Sequence, residues 1–169
     1  MPPVTAPQGK PLDVARTFDQ ALTLHHQGRI AEAEALYSVV LQVRPDHFDA
    51  LQMLGVIKLG RGDLPAALRL TGAALQQRPT SPQVLLNYGN VLNAMQRHHE
   101  ALANFDEAIK RKKSFADAHN NRGSVLLALE RHEEALESFK RAIALKPTTP
   151  TRSTTRAMRC GCSAATTKR

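Results

Sequence analysis

The sequence predicts an all-α fold, a solenoid of antiparallel helix pairs, and three observations predict it. Residues recur at a spacing of 34: Gly55, Gly89 and Gly123 form one column and Ala33, Ala67, Ala101 and Ala135 another. Pro45, Pro79 and Pro147 share a third column, with Lys113 in the missing place. Each unit carries two apolar stripes at helical spacing. The chain is 42% hydrophobic but only 4% aromatic, with no Trp, which suits closely packed helices rich in Ala and Leu. Two helices of about 13 residues cannot bury their apolar faces alone, so each pair must stack on the next.

The elements follow in order. Residues 1–13 hold Pro2, Pro3, Pro7 and Pro11 and are expected to form a flexible leader. The units are 14–47, 48–81, 82–115 and 116–149. In the first, Ala21 stands in the glycine column. In the second, Gly60-Arg61-Gly62 reads as a break between two helices and not as a phosphate cradle. Thr71 takes the column that Tyr37, Phe105 and Phe139 otherwise hold. The third ends on Lys110-Arg111-Lys112-Lys113, where cations suit the negative end of a helix.

The fourth unit is the template. Ala118, Val125, Leu126 and Leu129 mark the stripe of its first helix, and Glu130-Arg131-His132 is a polar break. Glu133 and Glu134 favour the positive end of the second helix, with Lys140, Arg141 and Lys146 toward its far end. Ala135, Leu136, Phe139, Ala142, Ile143 and Leu145 form its apolar face, and Pro147 stops it. Gly123 and Ala135 are small where two helices must approach closely. With no stacking partner for this unit, Leu136 and Ile143 are expected to be partly exposed, which invites self-association through the uncapped C-terminal repeat.

The net charge of +8 is unevenly spread. Residues 148–169 carry Arg152, Arg156, Arg159, Lys168 and Arg169 and no acid, leaving 18 bases and all 15 acids in the body. Nucleic acid is therefore not expected as a partner of the body, and only the basic tail would favour it. Both cysteines, Cys160 and Cys162, also lie in the tail. No apolar run is long enough for a transmembrane helix or a secretory signal, so no membrane partner and a cytoplasmic location are expected.

The tail, TTPTRSTTRAMRCGCSAATTKR, loses the helical period and is expected to be disordered and basic over 150–169. The genetic code offers a sharper account. If each new codon starts at the third base of the written one, these letters can be reread as YADALNN-x-GNALRLLGRHDEA. That string aligns without a gap on Phe115–Ala135, FADAHNNRGSVLLALERHEEA. The first base of each new codon is free, but the middle bases are largely set and give the right residue class throughout. The expectation is a fifth repeat displaced by one lost base just after Pro147, with Cys160-Gly161-Cys162 an accident of the wrong frame.

The 34-residue spacing, the small residues Gly123, Ala135 and Ala142, the aromatic Phe139 and the closing Pro147 resemble the tetratricopeptide repeat (TPR). The match covers 14–149, about four units. Ala21 and Val40 depart from it in the first unit, and Thr71 and Gly72 in the second. The resemblance implies a right-handed α-solenoid whose first helices line a concave groove for a protein or peptide ligand. Carried over by column, the groove comprises Asp49, Gln52, Gln83, Asn87, Asn90, Asn93, Asp117, Asn120, Asn121 and Ser124. Asn offers both a donor and an acceptor, so a ladder of them can bond a peptide backbone with little regard for its sequence. The ladder resembles the repeat arm of O-linked N-acetylglucosamine transferases and their bacterial relatives, which implies an alternative: a substrate-recognition arm whose catalytic domain is absent.

Lys58 is almost the only base in the groove columns, which disfavours capture of a terminal carboxylate. His25-His26 and His98-His99 are adjacent pairs, pointing different ways on a helix with no cage around them, so no metal is expected. No nucleophile–base pair or cofactor motif stands out. The expected function is a non-enzymatic protein-interaction scaffold without cofactors.

Overall fold

The computed structural model describes residues 13–146. The leader up to residue 12, Pro147, the tail with its two cysteines and the reread segment lie outside the described residues. Those described form eight helices: α1 (Val14–His26), α2 (Ile30–Val43), α3 (Phe48–Gly60), α4 (Leu64–Gln77), α5 (Pro82–Ala94), α6 (His98–Arg111), α7 (Ala116–Ala128) and α8 (His132–Leu145). First helices have 13 residues and second helices 14, and every boundary advances by 34. His132 belongs to α8 and not to the break before it, because the backbone already turns at Glu130, one left-handed residue sooner than a polar run suggests.

The same turn closes every pair. Gly28, Gly62, Gln96 and Glu130 stand 34 apart and all adopt positive φ, between 59° and 78°. After each, an amide reaches back across the helix end: Arg29 N to Leu24 O, Asp63 N to Lys58 O, Arg97 N to Leu92 O and Arg131 N to Leu126 O, at 2.9–3.0 Å. This is the left-handed helix stop, which satisfies orphan carbonyls and suits glycine best. The first two units use glycine, while the last two impose the conformation on longer side chains. Side-chain caps start some helices: Asp13, His47 and Asp63 accept from the amides of Arg16, Ala50 and Ala66 at 3.2 Å.

Within each pair the small column lies against the large one. A Cβ on Gly89 would come within 2.6 Å of the Phe105 ring, and one on Gly123 within 2.7 Å of Phe139. Unit two solves the contact differently. A Cβ on Gly55 would meet Thr71 Cγ2 at 2.7 Å and the α4 backbone at 3.5 Å, so the helices themselves close the gap that the missing ring leaves. The Thr71 hydroxyl, buried there, donates to Ala67 O at 2.7 Å. In unit one, Ala21 and Tyr37 are both fully buried.

The second helices α2, α4 and α6 also pack on the first helix of the next pair, and α3 touches α5 while α5 touches α7. The second helices do not pack on each other to this extent. The first helices therefore crowd along the inner, concave side. Two apolar clusters run along the stack, one centred on Tyr37, Leu51 and Leu54, the other on Leu92, Phe105 and Leu126.

Junctions carry polar ties as well. Glu34 on α2 pairs with Lys58 at 2.8 Å and with Arg61 at 2.6 Å. The hydrogen bond to Glu34 raises the Lys58 pKa. Lys58, expected among the groove columns, is instead in this junction, in a column that holds the buried Leu24, Leu92 and Leu126 of the other units. Arg122 ties α7 to Asp106 on α6 and to Ser138 on α8, both at 2.6 Å.

Candidate ligand-binding groove

Two short chains of amides cross the concave side. In the first, Gln83 Nε2 donates to Asn87 Oδ1 and Asn87 Nδ2 donates to Gln52 Oε1, each at 3.2 Å, bridging α5 to α3. In the second, Asn120 Nδ2 donates to Asn121 Oδ1 at 3.3 Å, and Asn121 Nδ2 donates to Asn90 Oδ1 at 2.7 Å, bridging α7 to α5. Side chains at one helical level of neighbouring first helices can meet in this way only because those helices touch.

These bonds sort the residues. Gln52 and Asn87 are buried and serve the bridge itself. Asn90 and Asn121 are half-buried, whereas Gln83, Asn120 and Ser124 are more open to solvent. Ser124 donates to its own helix at Asn120 O, 3.2 Å away. Asn93 Oδ1 lies 3.0 Å from His98 Nδ1. Asp117 pairs with Lys146. Asp49 is exposed on the first turn of α3, away from the two amide chains in the bonding pattern. Each bonded amide uses only part of its hydrogen-bonding capacity, so the row presents oriented donors and acceptors without net charge.

Two apolar residues share these columns and are not evident from polarity alone. Val56, in the column of Asn90 and Ser124, is 39% exposed, and Leu127, in the column of Asn93, is 47% exposed. Comparing the 34-residue columns would have found them, since each is apolar where its counterpart is amide.

The basic cluster is largely engaged. Arg111 and Lys110 pair with Glu107 at 2.6 and 3.6 Å, and Lys112 lies over the Phe115 ring at 5.0 Å. Among the described residues, no group of His, Cys, Asp or Glu could hold a metal ion. No helix among them is long and apolar enough to cross a membrane.

Stacked helix pairs that advance by a fixed step of 34 residues define a helical-repeat protein. The chain belongs to the tetratricopeptide repeat family: one family model described as tetratricopeptide repeat matches residues 24–86 and another residues 86–150. No curated protein matches the sequence. Among solved structures, the chain is similar to MamA, residues 41 to the end, from Desulfovibrio magneticus RS-1, with a TM-score of 0.73 at 19% identity, covering 82% of this chain and 78% of that one. It is also similar to TTC0263, a thermophilic TPR protein in Thermus thermophilus, with a TM-score of 0.71 at 23% identity, covering 80% and 75%. These likenesses show the fold, a helical solenoid. Repeats of this family generally mediate contacts between proteins, and the chain is a scaffold of that kind.

Proposed function

We propose that the concave side binds an extended or disordered segment of another protein, without chemistry of its own. The observation that supports this is the pair of amide chains across α3, α5 and α7. They hold Asn90, Gln83 and Asn120 in set orientations, which lowers the ordering cost of bonding a peptide backbone. Val56 and Leu127 would take apolar side chains of the ligand. The groove columns hold no Lys or Arg, so they offer no cation for a terminal carboxylate, and the ligand is an internal segment.

An array of unstructured peptides, followed by titration of the best binder, tests the proposal. Asn90→Ala and Asn120→Ala are each expected to weaken binding about tenfold, the worth of one or two peptide hydrogen bonds. Arg69→Ala, on α4, should leave affinity unchanged. Wild-type affinity in both groove variants would remove the assignment.

The polar columns, Asn87 with Asn121 and Asn90 with Ser124, also support the second proposal, a recognition arm of an O-linked N-acetylglucosamine transferase. It requires a sugar-nucleotide domain in the downstream DNA, and translating that DNA in the alternative frame decides it.

A further inference from the structure

We infer that the open side of α8 is the seat of a fifth helix pair, of which codons 148–169 in the shifted frame spell the first helix and the start of the second. The columns show the seat. Leu102 is buried and Leu68 half-buried where the next pair covers them, but Leu136 in the same column is 56% exposed. Leu41, Leu75 and Ile109 pack against the apolar clusters, but Ile143 in their column is 68% exposed.

Beside Ile143 lies a cavity of about 290 Å³, lined by Ala116, Asp117, Asn120, Ala142, Ile143 and Lys146. The equivalent place one unit earlier lies beside Ala108, Ile109 and Lys112. There Phe115 is buried in the cluster that contains Ala108, and Lys112 lies over its ring. The socket upstream is thus closed by an aromatic residue just before a first helix.

The shifted frame supplies that residue. Its Tyr aligns on Phe115, its Ala-Asp on Ala116-Asp117 and its Asn-Asn on Asn120-Asn121. The second of those asparagines would stand to the Ser124 hydroxyl as Asn121 stands to Asn90, extending the polar bridges by one junction.

A second copy stacked head to tail does not match the seat. Where the internal junctions bury Ala50, Val84 and Ala118, α1 has the exposed Arg16. Where they bury Ile57, Val91 and Val125, it has the polar Thr23. Gln20, exposed, lies between them. Leu24 continues the apolar column of Leu92 and Leu126 but is already buried, so pressing α1 onto α8 would desolvate Arg16, Gln20 and Thr23 without giving them partners.

The nucleotide sequence tests the origin. Thr148 must be written ACT, Thr149 ACG, Ser153 TCA and Thr154 ACA, with the shifted frame open beyond them. Other third bases, or a stop codon in that frame, overturn the inference. Hydrogen exchange tests the docking on the 169-residue chain and on a frame-restored chain carrying the whole fifth pair. Amides of α8 are expected to exchange at least about tenfold more slowly in the restored chain, with less apolar dye bound. Leu136→Asp should abolish that gain while leaving the helical signal of the written chain intact. Equal exchange in both chains, or a restored chain with no added helical signal, overturns it. So does α8 protection in the written chain that grows with concentration, which would show a second copy on the face.

Discussion

The two ends of the stack are built from the same columns and finished in opposite ways. Along α1, Arg16, Gln20 and Thr23 stand in junction columns and are polar, with Leu24 the apolar exception and already buried. Along α8 the residues that would meet a following pair are Leu136 and Ile143, apolar and mostly exposed. A repeat column therefore carries two kinds of information. One kind maintains the pair, as Gly123 does against Phe139. The other states whether a neighbour is expected, and only this kind differs between the ends.

The sharpest way to break the comparison is to truncate one column at two places. Leu102→Ala removes a side chain buried between units three and four and is expected to cost about 3 kcal/mol. Leu136→Ala, in the same column at the open end, should cost under about 1 kcal/mol, because most of that side chain already meets water. Denaturant melts of both variants measure the difference, and equal losses would mean that α8 is covered.

The next test concerns the junction that uses charge. Glu34 with Lys58 occupies the columns that Leu68 with Leu92 and Leu102 with Leu126 occupy later in the chain. The double change Glu34→Leu with Lys58→Leu is expected to leave stability unchanged or raise it by about 1 kcal/mol, as apolar replacements of half-buried pairs often do. Glu34→Leu alone should destabilise, since Lys58 and Arg61 lose their shared carboxylate. A double-mutant cycle separates the two.

A smaller effect is expected at the left-handed column. Gly28→Ala puts a side chain at φ 77° and should cost about 1 kcal/mol. Glu130→Gly relieves the same conformation near the open end, with a gain of about a few tenths of a kcal/mol after the added freedom of the unfolded chain. Thermal melts of the pair should move in opposite directions.

The smallest effect is with pH. Hydrogen bonds from Arg29, Arg97 and Arg111 hold the carboxyls of Glu32, Glu100 and Glu107 below the usual range. The stabilisation they give is fully present above the unfolded carboxylate range and is lost as pH falls through their lowered folded values. All three pairs are on the surface, so the loss should be slight and weaker in salt. A pH series of melts at two ionic strengths checks both points.

Much of the fold was legible because a solenoid is nearly one-dimensional. Each unit meets only its neighbours, so a residue's environment follows from its column. That is why the helix pairs, the close approach at Gly89 and Gly123 and the break at Gly60-Arg61-Gly62 could be read directly. The 34-residue columns carry position but not depth. Asn87 and Asn120 look equivalent as exposed helix amides, yet Asn87 is buried in a bridge to Gln52 and Asn120 faces outward. Lys58 was misplaced: its column, shared with Leu24, Leu92 and Leu126, is buried, and Glu34 on α2 supplies the partner that lets a lysine stand there.

The sequence by itself determined the period, the number of helix pairs it encodes between residues 14 and 149 and which residues are small, because these depend on local helix physics and repetition. Only the tertiary structure decided which amides bond each other, that α3 and α4 close over Thr71 without a ring, and that Gln96 and Glu130 bend left-handed without glycine. Those outcomes depend on distances between helices far apart in the chain, and a column of letters does not contain a distance.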